Sequence, residues 1–410
     1  MAADSTLLDQ LYAISPKGIS LGLERMNFAC ARFDHPQRSF SVIQVAGTNG
    51  KGSVSTMLER SLRATGLKTG LFTSPHIHRF TERFQINGEE ISFAQMAPPL
   101  SRVLELTRGR DAISLTFFEV ATLAAFLIFQ EARVDVAVLE VGLGGRLDAT
   151  SVAVPKVGVI TSIALDHQDY LGNTIDAIAR EKAAIAKPGM PLICGRLCAE
   201  ALQAVSEIAA EREAPLRVID DELPDDLQQQ FSAPFFIQPH QRYNALLALT
   251  AYTRYCELSR APGSRAVFFS SLQSFGVSAR FEWIHKDHSY LLDGAHNLEA
   301  MQALVTSLAS AQVRVGQIVF GALTGKPVDD MLALLQSVTP RILLVEAPVA
   351  RTMNVKEVSK KWGFPRYTLD EALVPDASET GVTLVTGSFF VAAAARQRLL
   401  DELSNTPVAL

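Results

Sequence analysis

Ser41-Val42-Ile43-Gln44-Val45-Ala46-Gly47-Thr48-Asn49-Gly50-Lys51-Gly52-Ser53 decides how this chain is read. A β-branched, apolar run ends in a glycine-rich turn, and Lys51 to Thr65 then reads as a helix. Strand, turn and helix in that order are the context a phosphate loop needs. Glycines let backbone N–H groups approach phosphate oxygens, and the helix N-terminus adds partial positive charge. Lys51 has the reach for β- and γ-phosphates, and Ser53 offers a hydroxyl to Mg²⁺. Gly52 separates the lysine from the hydroxyl residue, so the motif is a variant. The competing reading is a glycine-rich strand-to-helix turn with an exposed lysine.

Working outward, short apolar runs alternate with helical stretches. Strands are predicted at 68–73, 134–141, 156–163 and 190–194, and helices at 117–132 and 175–186. Such alternation predicts an α/β fold with a mainly parallel sheet covered on both faces. The pattern loosens from Glu200 to Gln238, where Asp220-Asp221-Glu222 and Asp225-Asp226 suggest an acidic surface stretch. A helix resumes near His240 and runs to about Cys256, a loop follows at 260–265, and Phe275 to Arg280 reads as a crossing between domains. Strands are then expected at 288–292, 317–320, 341–345 and 382–386, with helices at 298–309, 328–336 and 389–402. The expectation is a P-loop nucleotide-binding domain over 1–276 and a smaller, Rossmann-like α/β domain over 277–410. Two such domains in series imply a ligand cleft.

Composition narrows the function. At ~150 residues per domain, 410 residues suit two or three domains. Hydrophobic residues make up 48% and charged ones 20%, enough to build a large core. Lys plus Arg is 38 against 43 Asp plus Glu, a net charge of −5, so no basic footprint favours a nucleic-acid partner. The densest apolar stretch, Val120 to Phe129, is far short of the ~20 residues of a membrane span. The N-terminus carries no signal-peptide pattern. Four sparse cysteines, Cys30, Cys194, Cys198 and Cys256, suit reduced thiols in a cytoplasmic protein, and no zinc spacing is completed.

Further polar residues fall where strands end. Glu140 closes the 134–140 run and is placed to hold Mg²⁺ beside a phosphate loop. Gly142-Leu143-Gly144-Gly145-Arg146 follows, and Arg146 has the charge to meet an anion. Asp166-His167 comes after the next strand. Glu181-Lys182 reads, on its own, as an exposed helical pair. Asp293-Gly294-Ala295-His296-Asn297 joins a strand to a helix and serves equally as a nucleotide contact or a helix cap.

As an ordered set, Val45 to Ser53, Ser74-Pro75-His76, Glu82-Arg83, Leu139 to Thr150, Leu21 to Met26 and Asp293 to Asn297 resemble the folylpolyglutamate synthase family within the Mur-ligase superfamily. More closely they are similar to its bifunctional bacterial dihydrofolate-forming members. The resemblance implies ATP-dependent ligation of L-glutamate to dihydropteroate and to reduced folates through an acyl phosphate. It implies ATP as substrate, Mg²⁺ at two positions, K⁺ as an optional further cation, small-molecule partners only, and a cytoplasmic monomer. Ser53, Ser74, Glu140 and His167 match Mg²⁺ ligands, and Lys182 matches a lysine that is carbamylated to supply another. Lys51, His167, Lys182 and Arg280 match the catalytic set. Gly47, Thr48, Asn49, Gly50, Lys51, Gly52, Ser53, Asn244, Arg280, Asp293 and His296 match nucleotide contacts. Thr116, Phe118, Asp148 and Ala149 match the pterin side, Phe118 for stacking and Asp148 as acceptor of a hydrogen bond; the plain alternative is a core Phe and a loop Asp. Leu298 stands where a proline is usual, Gly325-Lys326-Pro327 replaces Asp-Lys-Asp, and Ser388-Phe389-Phe390 lacks a histidine. Alternatives are a folylpolyglutamate synthase without the first activity, another Mur-type amide ligase, a phosphotransferase or regulatory NTPase, and a non-catalytic nucleotide-binding module.

Overall fold

β1 (Ser41–Ala46) lies in the middle of the larger sheet, buried from Val42 to Ala46. The computed structural model of the chain describes residues 2–14, 22–219, 230–231, 233–375 and 380–404. β1 pairs in parallel with β5 (Val136–Glu140) on one side and β6 (Val157–Ile160) on the other. Beyond β5 come β2 (Thr69–Phe72) and an antiparallel edge of β3 (Phe84–Ile86) and β4 (Glu89–Glu90). Beyond β6 come β7 (Leu192–Cys194) and β8 (Leu216–Val218), giving eight strands in the order β4-β3-β2-β5-β1-β6-β7-β8. Parallel neighbours require crossover helices, and the resulting coverage on both faces explains the nearly unbroken apolar strands.

The chain divides into two compact units, Met1–Phe231 with Tyr243–Gln273, and Ser232–Arg242 with Ser274–Leu410. The second unit holds five strands in the order β12-β11-β13-β10-β9. These are β9 (Glu282–His285), β10 (Ser289–Leu292), β11 (Val315–Phe320), β12 (Ile342–Leu344) and β13 (Val382–Thr386). All pairings are parallel except the edge pair β9–β10. The mixed α/β class with mainly parallel sheets is as the sequence predicts.

The helix Phe117–Ala132 spans its expected residues and is apolar on nearly all sides, which marks a helix buried in a core. Thr116 caps it: its hydroxyl accepts from Glu119 N at 3.3 Å, and Glu119 Oε2 accepts from Thr116 N at 2.7 Å. Arg25 closes this box from a distant segment, its Nη2 lying 2.9 Å from Glu119 Oε1. On the same helix Phe129 packs against Phe40 and over β2.

The sequence reading is corrected at Glu200 to Gln238. A helix, Ala199–Glu211, buries Ala201, Ala204, Val205 and Ala209, and β8 follows. The buried face consists mostly of alanine, whose small side chain gives a weak periodic signal. The acidic residues at 220–222 and 225–226 lie outside the described residues. The sequence also gave no sign of the β3–β4 hairpin, whose strands are too short to show alternation, or of the helix Phe93–Glu105, which carries Pro98 and Pro99 internally. That helix is secured instead by a Ser92–Gln95 capping box.

Gly70 in β2 shows how tightly this core is fitted. A β-carbon there would meet the Phe129 ring at 2.9 Å. Gly70→Ala should therefore cost about 1–3 kcal/mol of unfolding free energy through overpacking. Urea denaturation of the full chain measures it, and an unchanged midpoint would contradict the packing described.

Candidate active site

The turn at Gly47–Gly50 is held by the segment that follows β6. Thr48 N donates to Ser162 O at 2.8 Å, and Asn49 N to Ser162 Oγ at 3.1 Å. Thr161 Oγ1 donates to Asn49 O at 2.6 Å, and Ala164 N to Thr48 Oγ1 at 3.0 Å. Gly50 takes φ +86° at the start of the helix Lys51–Arg63, a value that only glycine adopts freely. A β-carbon on it would also lie 2.7 Å from Asn244 Oδ1. Asn244, buried on the helix Pro239–Ser259, is thus fixed against the loop.

Two ammonium groups converge on one carbonyl of this turn. Lys51 Nζ donates to Gly47 O and Thr48 O, both at 3.0 Å. Lys182 Nζ donates to Gly47 O at 2.9 Å, and the residue is only 5% exposed. Read alone, the sequence made Glu181-Lys182 an exposed pair. In the structure Glu181 faces the other way, to Arg146 Nη2 at 2.8 Å. Arg146 therefore meets a protein carboxylate.

Glu140, 4% exposed, ends β5 in register with Val45. Its Oε2 accepts from Ser74 N at 3.1 Å and would lie 3.7 Å from a β-carbon at Gly52. Ser53 follows Gly52 and is buried. Among the described residues, no three His, Cys, Asp or Glu side chains form a metal cage. The available set is one carboxylate and serine hydroxyls. That sparse group of hard oxygens fits Mg²⁺, which takes one or two carboxylates with substrate phosphates and water. His167 lies at the same sheet edge on the loop after β6, at φ +52°. Its N–H donates to Asp166 Oδ1 at 2.9 Å, and its side chain is half exposed.

On the neighbouring face, the Phe118 ring stands close against Gly142 and 5.8 Å from Phe72. Asp148 commits both oxygens to the protein. Oδ2 accepts from Gly142 N at 2.9 Å and Leu143 N at 3.0 Å, and Oδ1 accepts from Thr150 N and Thr150 Oγ1. Burial raises its pKa, against the lowering effect of these bonds. Ala149 is buried in the turn that follows. Gln44, fully buried on β1, ties this turn down by donating to Thr150 Oγ1 and Ser151 Oγ, both at 2.9 Å.

The second unit gathers Arg280, Asp293 and His296. Asp293 Oδ2 accepts from Phe281 N and Oδ1 from Ala295 N, both at 2.9 Å. Its pKa is raised by burial and drawn down by Arg280. The Arg280 guanidinium lies 4.9 Å over the Phe389 ring, flanked along the chain by Ala279 and Phe281 at positive φ. His296 Nδ1 lies 2.9 Å from Gly294 O. Asn297 is a helix cap, its Oδ1 accepting from Ala300 N at 2.9 Å.

Sequence reasoning passed over Thr161 and Ser162, which anchor the loop, although their place just after a strand was the available signal. Arg83 belongs to the Glu82-Arg83 pair, and nothing in the local sequence marks a role for it. Arg83 is 7% exposed, yet its Nε donates to His76 Nδ1 at 2.9 Å.

The sequence from 45 to 191 matches the model of the Mur ligase middle domain. The dihydrofolate synthase/folylpolyglutamate synthase of Bacillus subtilis is 32% identical, over 93% of this chain and 96% of that protein. The structure of E. coli FolC in complex with DHPP and ADP aligns with a TM-score of 0.82 at 30% identity, covering 98% of both chains. The Yersinia pestis bifunctional folylpolyglutamate synthase/dihydrofolate synthase, complexed with AMPPNP and Mn ion, aligns with a TM-score of 0.82 at 31% identity, over 97% of this chain and 98% of that one. With the loop, its anchoring segment and the buried Glu140 in place, this chain belongs to the dihydrofolate synthase/folylpolyglutamate synthase family.

Proposed function

We propose that this chain ligates L-glutamate to dihydropteroate, and to reduced folates, at the expense of ATP. The observation that carries the reading is the convergence of Lys51, Lys182, Glu140 and Asn244 on one glycine-rich turn. A carboxylate is a poor electrophile and must first be activated. An acceptor carboxylate oxygen attacks the γ-phosphorus, ADP leaves, and an acyl phosphate forms. The glutamate amine then attacks the acyl carbon, and phosphate leaves through a tetrahedral intermediate. The chain's own residues position these groups and balance their charge. With the Thr48 and Asn49 N–H groups committed to Ser162, the backbone N–H groups of Gly50–Ser53 hold phosphate oxygens, Lys51 balances the γ-phosphate, and Asn244 contacts the base. Bound Mg²⁺ would neutralise phosphate charge as a Lewis acid.

Ser53, Ser74, Glu140 and His167 would hold Mg²⁺, with carbamylated Lys182 completing a second position and K⁺ as an additional cation. Thr116, Phe118, Asp148 and Ala149 form the pterin side of this reading. Here Asp148 acts by shaping the Gly142–Leu143 turn on which Phe118 rests. Arg280, Asp293 and His296 are assigned to the nucleotide, with the functional division after residue 276. No helix of the described residues is long and apolar enough to cross a membrane. A cytoplasmic, monomeric working form without nucleic-acid partners completes the proposal.

The deciding assay is ADP release with ATP, Mg²⁺, K⁺ and L-glutamate, offering dihydropteroate or tetrahydrofolate in parallel. Glutamate-dependent turnover with both acceptors is expected. Turnover with tetrahydrofolate alone would leave a folylpolyglutamate synthase, and turnover with neither would overturn the folate reading. Lys51→Ala should lower kcat about 10²- to 10³-fold by removing transition-state charge stabilisation, with an unchanged circular dichroism spectrum. Full activity of that variant would remove the loop from the mechanism.

A further inference from the structure

Arg83 closes the turn Phe80–Arg83 and stands at the carboxyl end of β2, where its carbonyl accepts from Thr73 N at 3.1 Å. Ser74, the next residue along that strand end, donates its N–H to Glu140. Arg83 therefore shares the sheet edge that carries the phosphate loop. Its guanidinium lies between aromatic rings, 5.7 Å from the centroid of Phe80 and 5.4 Å from that of Phe117. Tyr12 extends this wall by stacking on Phe117 at 5.9 Å.

The charge on Arg83 has no close counter-ion. Among the described residues no carboxylate lies within ion-pairing distance, and only Nε makes a hydrogen bond, to His76. Glu82, its neighbour in sequence, accepts from the N–H groups of Ile77, His78 and Arg79. Burial pulls the Arg83 pKa down to about 10, against the opposing influence of Tyr12, Glu140 and Glu82. The Nη groups are not buried without partners, so the planar fork stands open to a ligand that can take both of its N–H edges. The aromatic wall favours an aryl acid over a triphosphate as that ligand.

We infer that Arg83 receives the acceptor's carboxylate through its terminal Nη groups, with Phe80 and Phe117 holding the guanidinium plane and His76 fixing Nε. This rests on the folate reading above, and it adds the residue that selects an acid over a neutral analogue.

The test is equilibrium binding by fluorescence, in EDTA and without nucleotide, of dihydropteroate and of its carboxamide. Wild-type protein should prefer the acid about 10- to 100-fold, the range of a charge-assisted pair. Arg83→Gln should remove most of that preference, and Arg83→Lys should keep only part of it. ADP affinity, measured with Mg²⁺ on the same variants, should stay within about twofold of wild type. Equal binding of acid and amide by wild type overturns the proposal even if no variant folds. An undiminished preference in a folded Arg83→Gln, or a loss confined to ADP affinity, overturns it as well. Wild-type binding of neither dihydropteroate nor tetrahydrofolate sinks the folate reading and this proposal together, whereas dihydropteroate binding without discrimination sinks only the role of Arg83.

Discussion

The carbonyl of Gly47 is the point on which the rest of the larger unit turns. It accepts from two lysine amines, one from the helix that begins four residues later and one from a helix far along the chain. Both side chains reach it in a turn whose backbone dipoles are already oriented by the segment after β6. The loop itself is immobilised from its other side by Thr161, Ser162 and Ala164. β1 ends in this knot, and its two flanking strands each deliver one part of it. Sheet order thereby becomes site geometry: β5 brings Glu140, and β6 brings the anchoring hydroxyls.

Much of this was readable in the sequence because burial writes itself into composition. The strand Ser41–Ala46 and the helix Phe117–Ala132 are apolar enough to be located to the residue. The glycines of the loop signalled backbone close to phosphate, and the positive φ of Gly50 agrees. Elements that earn their place through small side chains or caps were hidden. The alanine face of Ala199–Glu211 and the Ser92–Gln95 box of Phe93–Glu105 are of this kind. Lys182 was hidden for another reason. Nothing in the local pattern Arg-Glu-Lys says which of the charges turns inward, since that depends on a carbonyl 135 positions away.

The departures from the family pattern also have physical content. Leu298 occupies the first turn of its helix, where the backbone N–H needs no helical acceptor, so a proline and a leucine serve alike. Asn297 supplies the cap in either case. In the stretch Ser388-Phe389-Phe390, which lacks the expected histidine, Phe389 puts an aromatic face under the Arg280 guanidinium. The arginine is thus supported by a ring that carries no charge at any pH.

The far edge of the eight-stranded sheet is β4, two residues long and made only of Glu89 and Glu90. Glu90 is already engaged by Arg79 and Thr81, and Glu89 is exposed. A strand from another molecule approaching there would find little backbone to pair with and a carboxylate in its path. An enzyme that keeps six parallel strands in register for catalysis thereby ends its sheet in a border that does not invite growth.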